Sequence, residues 1–240
     1  MLEPWRKGRI VRIEDETSTT KRFWIEIPEL VNFDFKPGQF VTLDLPIDEK
    51  KNRRWRSYSI ASAPDGTNIF ELVIVKADDG KGTSYLFNDV QAGAEVLLRG
   101  PQGVFILPEN LDKEVFFICT GTGVAPFRSM IQYIFKNNIP HKNLYLVFGC
   151  RKFGDALYSQ EFNQLQQQFA SFKYLPVFSR EQNAKGIHTG YVHAVYEQLL
   201  STRKDAVFFL CGWKNMINEA KQNIIALGYD KHAIHLEIYG

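Results

Sequence analysis

The run Arg56-Ser57-Tyr58-Ser59-Ile60-Ala61-Ser62 concentrates three kinds of chemistry in a short space. A guanidinium such as that of Arg56 can grip two phosphate oxygens through parallel hydrogen bonds. The ring of Tyr58 offers a flat face, and Ser59 adds a small hydroxyl directly after it. In an extended chain Tyr58 and Ile60 share one face, while Ser57, Ser59 and Ala61 share the other. A phosphate fork, an aromatic plate and a small donor suit a flat, phosphate-bearing cofactor. The same residues also suit an edge strand with a polar face, and the rest of the chain must separate the two readings.

Other stretches carry related chemistry. In Thr120-Gly121-Thr122-Gly123-Val124-Ala125-Pro126 two glycines flank a hydroxyl residue, which lets the backbone turn sharply and approach a ligand. Pro126 fits the first turn of a following helix, whose free N–H groups and dipole attract an anion. Pro126 stands where the full dinucleotide fingerprint has its third glycine, so the segment reads as a phosphate turn or as a tight strand–helix turn. Ser179-Arg180-Glu181-Gln182, with Lys185 beyond, could hold a phosphate monoester, each charge-assisted contact being worth about 1.5–3 kcal/mol; a solvated charged loop is the alternative. Cys211-Gly212-Trp213-Lys214-Asn215-Met216 sets a polarisable thiol beside a glycine, although most such cysteines are simply buried. Leu236-Glu237-Ile238-Tyr239 puts a carboxylate and an aromatic ring near the last residue.

The elements that would position these groups fall into two rhythms. From residue 6 to about 107, short β-type runs are separated by Lys36-Pro37-Gly38, Pro64-Asp65-Gly66 and Asp78-Asp79-Gly80, which argues for a barrel or sandwich. A short helix over Ser84 to Asn88 interrupts them. Beyond the break at Ile106 to Leu111, β and α alternate. Val115 to Cys119 is an unbroken apolar run, as in a strand buried on both faces. Five strands with four intervening helices predict a parallel sheet with right-handed crossovers. Open sheets of that kind bind ligands at the carboxyl ends of their strands, where the groups above fall.

Composition excludes several classes. The 240 residues can bury one large core or two smaller ones. Basic and acidic residues nearly cancel, at +2, which gives no reason to expect nucleic acid or an anionic membrane as partner. No apolar run approaches the roughly twenty residues of a membrane span. The N-terminus lacks the pattern of an export peptide. Cys119, Cys150 and Cys211 have no paired spacing, so a reducing cytoplasm fits, and three thiols are too few for a four-cysteine iron–sulfur cluster. His141, His188, His193, His232 and His235 form no metal-ligand pattern, and no metal site is expected.

In order along the chain stand R-x-Y-S at 56–59, G-T-S-Y-L at 82–86, G-T-G-x-A-P at 121–126, F-G-C-R at 148–151 with L-Y at 157–158, S-R-E at 179–181, C-G-x-x-x-M at 211–216 and E-x-Y at 237–239. This ordered set resembles the ferredoxin–NADP reductase family over nearly the whole chain. The resemblance implies a two-domain fold: an antiparallel six-stranded Greek-key β-barrel binding FAD over residues 1–107, followed by an NAD(P)H-binding α/β domain with a five-stranded parallel sheet over residues 112–240.

By the same resemblance, Arg56 and Ser57 belong to the flavin site, Arg56 on the pyrophosphate. Tyr58 packs on the isoalloxazine and Ser59 hydrogen-bonds near N5. Ile74-Val75-Lys76 runs beside the flavin, and Gly82, Thr83 and Ser84 form a second phosphate loop. Gly121, Thr122, Gly123, Ala125 and Pro126 serve the nucleotide, with Thr122 also touching the flavin. Arg151 closes the second strand end. Ser179, Arg180 and Lys185 match positions that recognise the 2′-phosphate of NADP, but Ile187 stands where the family has an aromatic residue, the nearest candidate being Tyr191. Gly212 and Met216 join the nucleotide set. Cys211 and Glu237 match residues beside the nicotinamide, and Tyr239 matches the ring covering the other flavin face.

The function implied is hydride transfer from NADPH to FAD, with NADH as the alternative donor, and passage of electrons to a separate carrier such as ferredoxin or flavodoxin. A reductase component of an oxygenase and a reductase of free flavin share that internal chemistry. A nucleotide-sensing module without activity is the alternative from another class. Lys50-Lys51-Asn52-Arg53-Arg54-Trp55-Arg56 either faces an acidic carrier or is a solvated turn.

Overall fold

A computed structural model of the protein describes residues 3–182, 186–202 and 205–239. By its contacts the chain divides into two compact units, Met1–Leu107 with Ala125–Asn138, and Pro108–Val124 with Ile139–Gly240.

The first unit is built on strands β1 (Trp5–Thr17), β2 (Thr20–Glu26), β3 (Phe40–Asp44), β4 (Trp55–Ser59), β5 (Ile69–Val75) and β6 (Glu95–Gln102). Their order is β4-β3-β6-β1-β2-β5, with antiparallel pairing throughout. The two edges meet where Ile60 bridges Leu72 and the Ala61 N–H donates to Glu71 O at 2.8 Å. That junction closes the sheet into a Greek-key barrel and removes its edges. Alternation along the strands supplies the core. Ile10, Phe23, Ile25, Val41, Leu43, Phe70, Leu72 and Leu98 are buried together. Helix α1 (Lys81–Asn88) lays Leu86 onto this core, with Tyr85 and Phe87 partly buried against it. Helix α2 (Val124–Lys136) belongs to the unit through its buried residues, among them Phe127, whose ring lies 5.9 Å from that of Phe105.

The second unit has strands β7 (Glu114–Thr120), β8 (Leu144–Cys150), β9 (Phe172–Phe178), β10 (His188–Thr189), β11 (Ala206–Trp213) and β12 (Ile234–Tyr239). All are parallel, in the order β10-β9-β8-β7-β11-β12. Helices α3 (Ser159–Gln168), α4 (Val192–Leu200) and α5 (Lys214–Ala226) join them. Val115 to Cys119 and Leu144 to Phe148 are buried without a break, as expected for strands covered on both faces. The sheet has six strands rather than the expected five. The extra one is the edge strand β10, pairing His188 with Val177 and Thr189 with Phe178. Two half-buried residues present no hydrophobic run, so periodicity gives no sign of it. Among the described residues no helix is long and apolar enough to cross a membrane.

Candidate functional site

In the barrel unit, β4 pairs with β3 through Leu43–Arg56, Thr42–Ser57, Val41–Tyr58 and Phe40–Ser59. Tyr58 rests against the barrel core, and that burial pushes its phenol up to about 12, with the Arg56 charge opposing the rise. The ring is therefore a neutral plate at any ordinary pH. Ser57 is exposed, its hydroxyl 3.0 Å from Thr42 Oγ1, which donates in turn to Gln102 Oε1 at 3.0 Å. The expected alternation stops at Ser59. Ser59, Ile60 and Ala61 are all buried, because the chain leaves β4 at the barrel closure and is covered on both sides there.

Arg56 lies against the start of α1. A Cβ on Gly82 would stand 3.0 Å from Arg56 Cγ and 3.2 Å from its Nε, so the guanidinium stem packs tightly against the glycine and a larger residue would push it aside. Arg56 Nη1 donates to the Arg53 and Trp55 carbonyls at 3.0 and 2.8 Å, which orients the fork. Gly80 caps the helix without a side chain, and the first ladder bond runs from the Ser84 N–H to Gly80 O at 2.8 Å. The N–H groups of residues 81–83 thus precede the ladder and can face an anion. Thr83 has a second task, since its Oγ1 donates to Gly80 O and accepts from the Ala77 N–H, both at 3.1 Å. A guanidinium beside open helix N–H groups fits a pyrophosphate. Ile74 points its side chain into the core, whereas Val75 and Lys76 are exposed, and the Lys76 N–H is tied to Thr19 O at 2.8 Å.

In the second unit the carboxyl ends of the strands collect the remaining groups. β7 ends at Thr120, and Gly121-Thr122-Gly123 forms a 3-10 turn running into α2, whose first turn carries Ala125 and Pro126. A Cβ on Gly123 would meet Cys211 O at 2.5 Å, so the turn closes onto β11 only with glycine there. Thr120 Oγ1 accepts from the Trp213 N–H at 3.3 Å, a second tie between the two strand ends. Cys211 is register partner to Cys119 on one side and Glu237 on the other, and Gly212 and Trp213 stand opposite Ile238 and Tyr239. Burial holds the Cys211 thiol well above its ordinary value; Glu237 adds to the rise and a hydrogen bond with Tyr239 opposes it. Met216 joins the apolar core of this unit.

The pairing of β8 with β9 continues past both strands. The Ser179 N–H donates to Cys150 O at 3.0 Å and the Arg180 N–H to Arg151 O at 2.9 Å. Arg151 and Arg180 thus leave neighbouring points, both exposed, and among the described residues neither guanidinium pairs with a carboxylate. Glu181 accepts from the Phe153 N–H at 3.0 Å. Lys185 lies outside the described residues. The sequence motifs include Thr120 and Trp213 without giving them a role, and leave out Phe153. Trp213 is 68% exposed at its strand end, and Phe153 packs edge-on against Phe178 at 4.5 Å. An aromatic residue directly after a glycine at a strand end was the available signal for Trp213.

Comparison with known proteins assigns a family description to each part of the chain, the second including the α2 segment that packs with the barrel unit. The family description "Oxidoreductase FAD-binding domain" matches residues 7–106, and "Oxidoreductase NAD-binding domain" matches residues 117–222. The chain is 30% identical over 244 residues to ferredoxin–NADP reductase B of Sorangium cellulosum, covering 99% of this chain and 98% of that one. It is 28% identical over 246 residues to the glycine betaine monooxygenase reductase subunit of Chromohalobacter salexigens, of which it spans 66%. A crystal structure of a ferredoxin–NADP reductase from Neisseria gonorrhoeae with bound FAD and NADP superposes with a TM-score of 0.82 at 26% identity, covering 98% of both chains. With barrel, parallel sheet and both family descriptions in agreement, the chain belongs to the ferredoxin–NADP reductase family of FAD-dependent NAD(P)H oxidoreductases.

Proposed function

We propose that the protein takes hydride from NADPH at a bound FAD and delivers the electrons to a separate carrier protein of the ferredoxin or flavodoxin kind. The observation that carries the flavin half is the packing of the Arg56 stem on Gly82 at the open end of α1, on the same strand as Tyr58 and Ser59. FAD, when bound, supplies the ring that accepts hydride and passes electrons on. Arg56 and the N–H groups of residues 81–83 hold its pyrophosphate, and Tyr58 supports the ring. Ser59 would offer its hydroxyl to N5 as a hydrogen-bond partner. The neutral Cys211 thiol and the Glu237 carboxylate line the nicotinamide pocket, and Tyr239 keeps the nicotinamide's stacking place until the nucleotide enters. Such alignment supplies rate because the reacting atoms must approach to about 3–3.5 Å.

Preference for NADPH rests on Ser179 and on Arg180 and Arg151, whose exposed guanidinia have no carboxylate partner among the described residues and suit a 2′-phosphate. The exposed run around Lys50, Lys51 and Arg53 suits a carrier with an acidic face, and the three free cysteines suit a cytoplasmic setting. A second reading, the reductase component of an oxygenase, is favoured by the likeness to the glycine betaine monooxygenase reductase subunit. Turnover with NADPH and NADH against ferredoxin, flavodoxin, an oxygenase component and free FMN separates these readings. Efficient NADPH-driven reduction of ferredoxin or flavodoxin is expected. Turnover confined to the oxygenase component or to free FMN would replace the carrier assignment.

A further inference from the structure

A buried polar cluster in the barrel unit grips the chain just after Ser59. Three consecutive residues each give a main-chain group to a side chain of α2. Arg128 Nη1 donates to Ala61 O at 3.0 Å, Ser129 Oγ donates to Ser62 O at 2.7 Å, and the Ala63 N–H donates to Gln132 Oε1 at 3.1 Å. The grip is itself held from the other side. Arg128 Nη1 lies 2.9 Å from Glu71 Oε2, and Glu71 Oε1 accepts from Arg22 Nε at 2.6 Å. The Glu71 N–H donates to Ser62 Oγ at 3.0 Å, while its carbonyl takes the Ala61 N–H at 2.8 Å.

Gluing α2 to the barrel does not require this. Phe127, Met130, Ile131 and Ile134 are already fully buried on the same helix. Apolar burial is non-directional, so it holds a helix without fixing a neighbouring main chain to within hydrogen-bond geometry. Arg128 and Glu71 are only 5% and 3% exposed, and apolar residues in place of such a buried pair are often neutral or stabilising. What the polar set adds is placement of residues 61–63, two positions from Ser59.

We propose that Arg128, Ser129 and Gln132 are positioning residues that act through Ser59. Their clamp on residues 61–63 sets where the Ser59 hydroxyl meets the flavin. The inference rests on the role of Ser59 under Proposed function. Ser129→Ala and Gln132→Met test it, the first removing the bond to Ser62 O and the second the bond from the Ala63 N–H, and neither touching a member of the buried ion pair.

In the FAD-loaded variants, flavin content and the nucleotide KM should stay at wild-type values, while single-turnover flavin reduction slows roughly tenfold, since small misplacements are costly in rate. Amide exchange in the apoprotein should quicken at Ala61 and Ala63. In a Ser59→Ala background the same substitutions should cost no further rate. Wild-type reduction rates with only a lowered Tm would overturn the proposal, as would a rate loss repeated in full without Ser59. A wild-type holoprotein that NADPH fails to reduce would overturn the functional reading and the catalytic half of this one. Unchanged amide exchange would then overturn the clamp as well.

Discussion

At the scale of single residues, Ser59 and Cys211 are distinguished by burial rather than by type. Ser59 is a buried hydroxyl at the end of β4, where the barrel closes. Replacing it by Ala should slow hydride transfer by roughly ten- to hundredfold while FAD stays bound, because one lost hydrogen bond at a reacting atom is worth about 1–3 kcal/mol and 1.36 kcal/mol is tenfold in rate. Wild-type stopped-flow rates in Ser59→Ala would remove Ser59 from the mechanism. Cys211 has a thiol raised by burial and by Glu237, so it is protonated at neutral pH and is not poised as a nucleophile. Iodoacetamide at about pH 8 should therefore leave Cys211 unlabelled in the folded protein. Half-buried Cys150, pushed up to about 12 by burial with Asp155 and Glu181, should gain reactivity only as pH climbs toward that value. Rapid labelling of Cys211 at about pH 8 would show a thiolate there.

At the scale of elements, local pattern decided what the sequence could reveal. The apolar run of β7 and the turn of Gly121 to Gly123 are legible because burial on both faces and tight turning each leave a compositional mark. Edge strand β10 leaves none. Nor does the Arg22–Glu71–Arg128 network, whose members lie 49 and 57 residues apart and meet only once the barrel has closed. The face pattern of Arg56 to Ser62 is legible as far as Tyr58, and fails from Ser59 on because the closure buries both sides. Two stability predictions belong here. Gly123→Ala should cost about 1–3 kcal/mol, since the added methyl meets a main-chain carbonyl that cannot yield as a side chain would. Arg128→Met should cost about 3–5 kcal/mol by leaving Glu71 with less of its compensating charge. Chemical denaturation of both variants checks these values; midpoints equal to wild type would mean the contacts relax freely.

At the scale of the whole molecule, each unit brings one nucleotide's worth of anion chemistry. The barrel unit has Arg56 against Gly82, and the parallel-sheet unit has the glycine turn with Arg151 and Arg180. Arg180→Gln should raise the KM for NADPH by roughly tenfold, with little change for NADH, if its contact with the 2′-phosphate is worth about 1.5–3 kcal/mol. Equal effects on both nucleotides would move the 2′-phosphate elsewhere. The measurement closest to the central claim is anaerobic mixing of the FAD-loaded protein with NADPH carrying deuterium at the transferred position. The yellow band should bleach in a single turnover, more slowly with deuterium than with hydrogen, and return when a carrier is added. A band that NADPH leaves unchanged would contradict that claim.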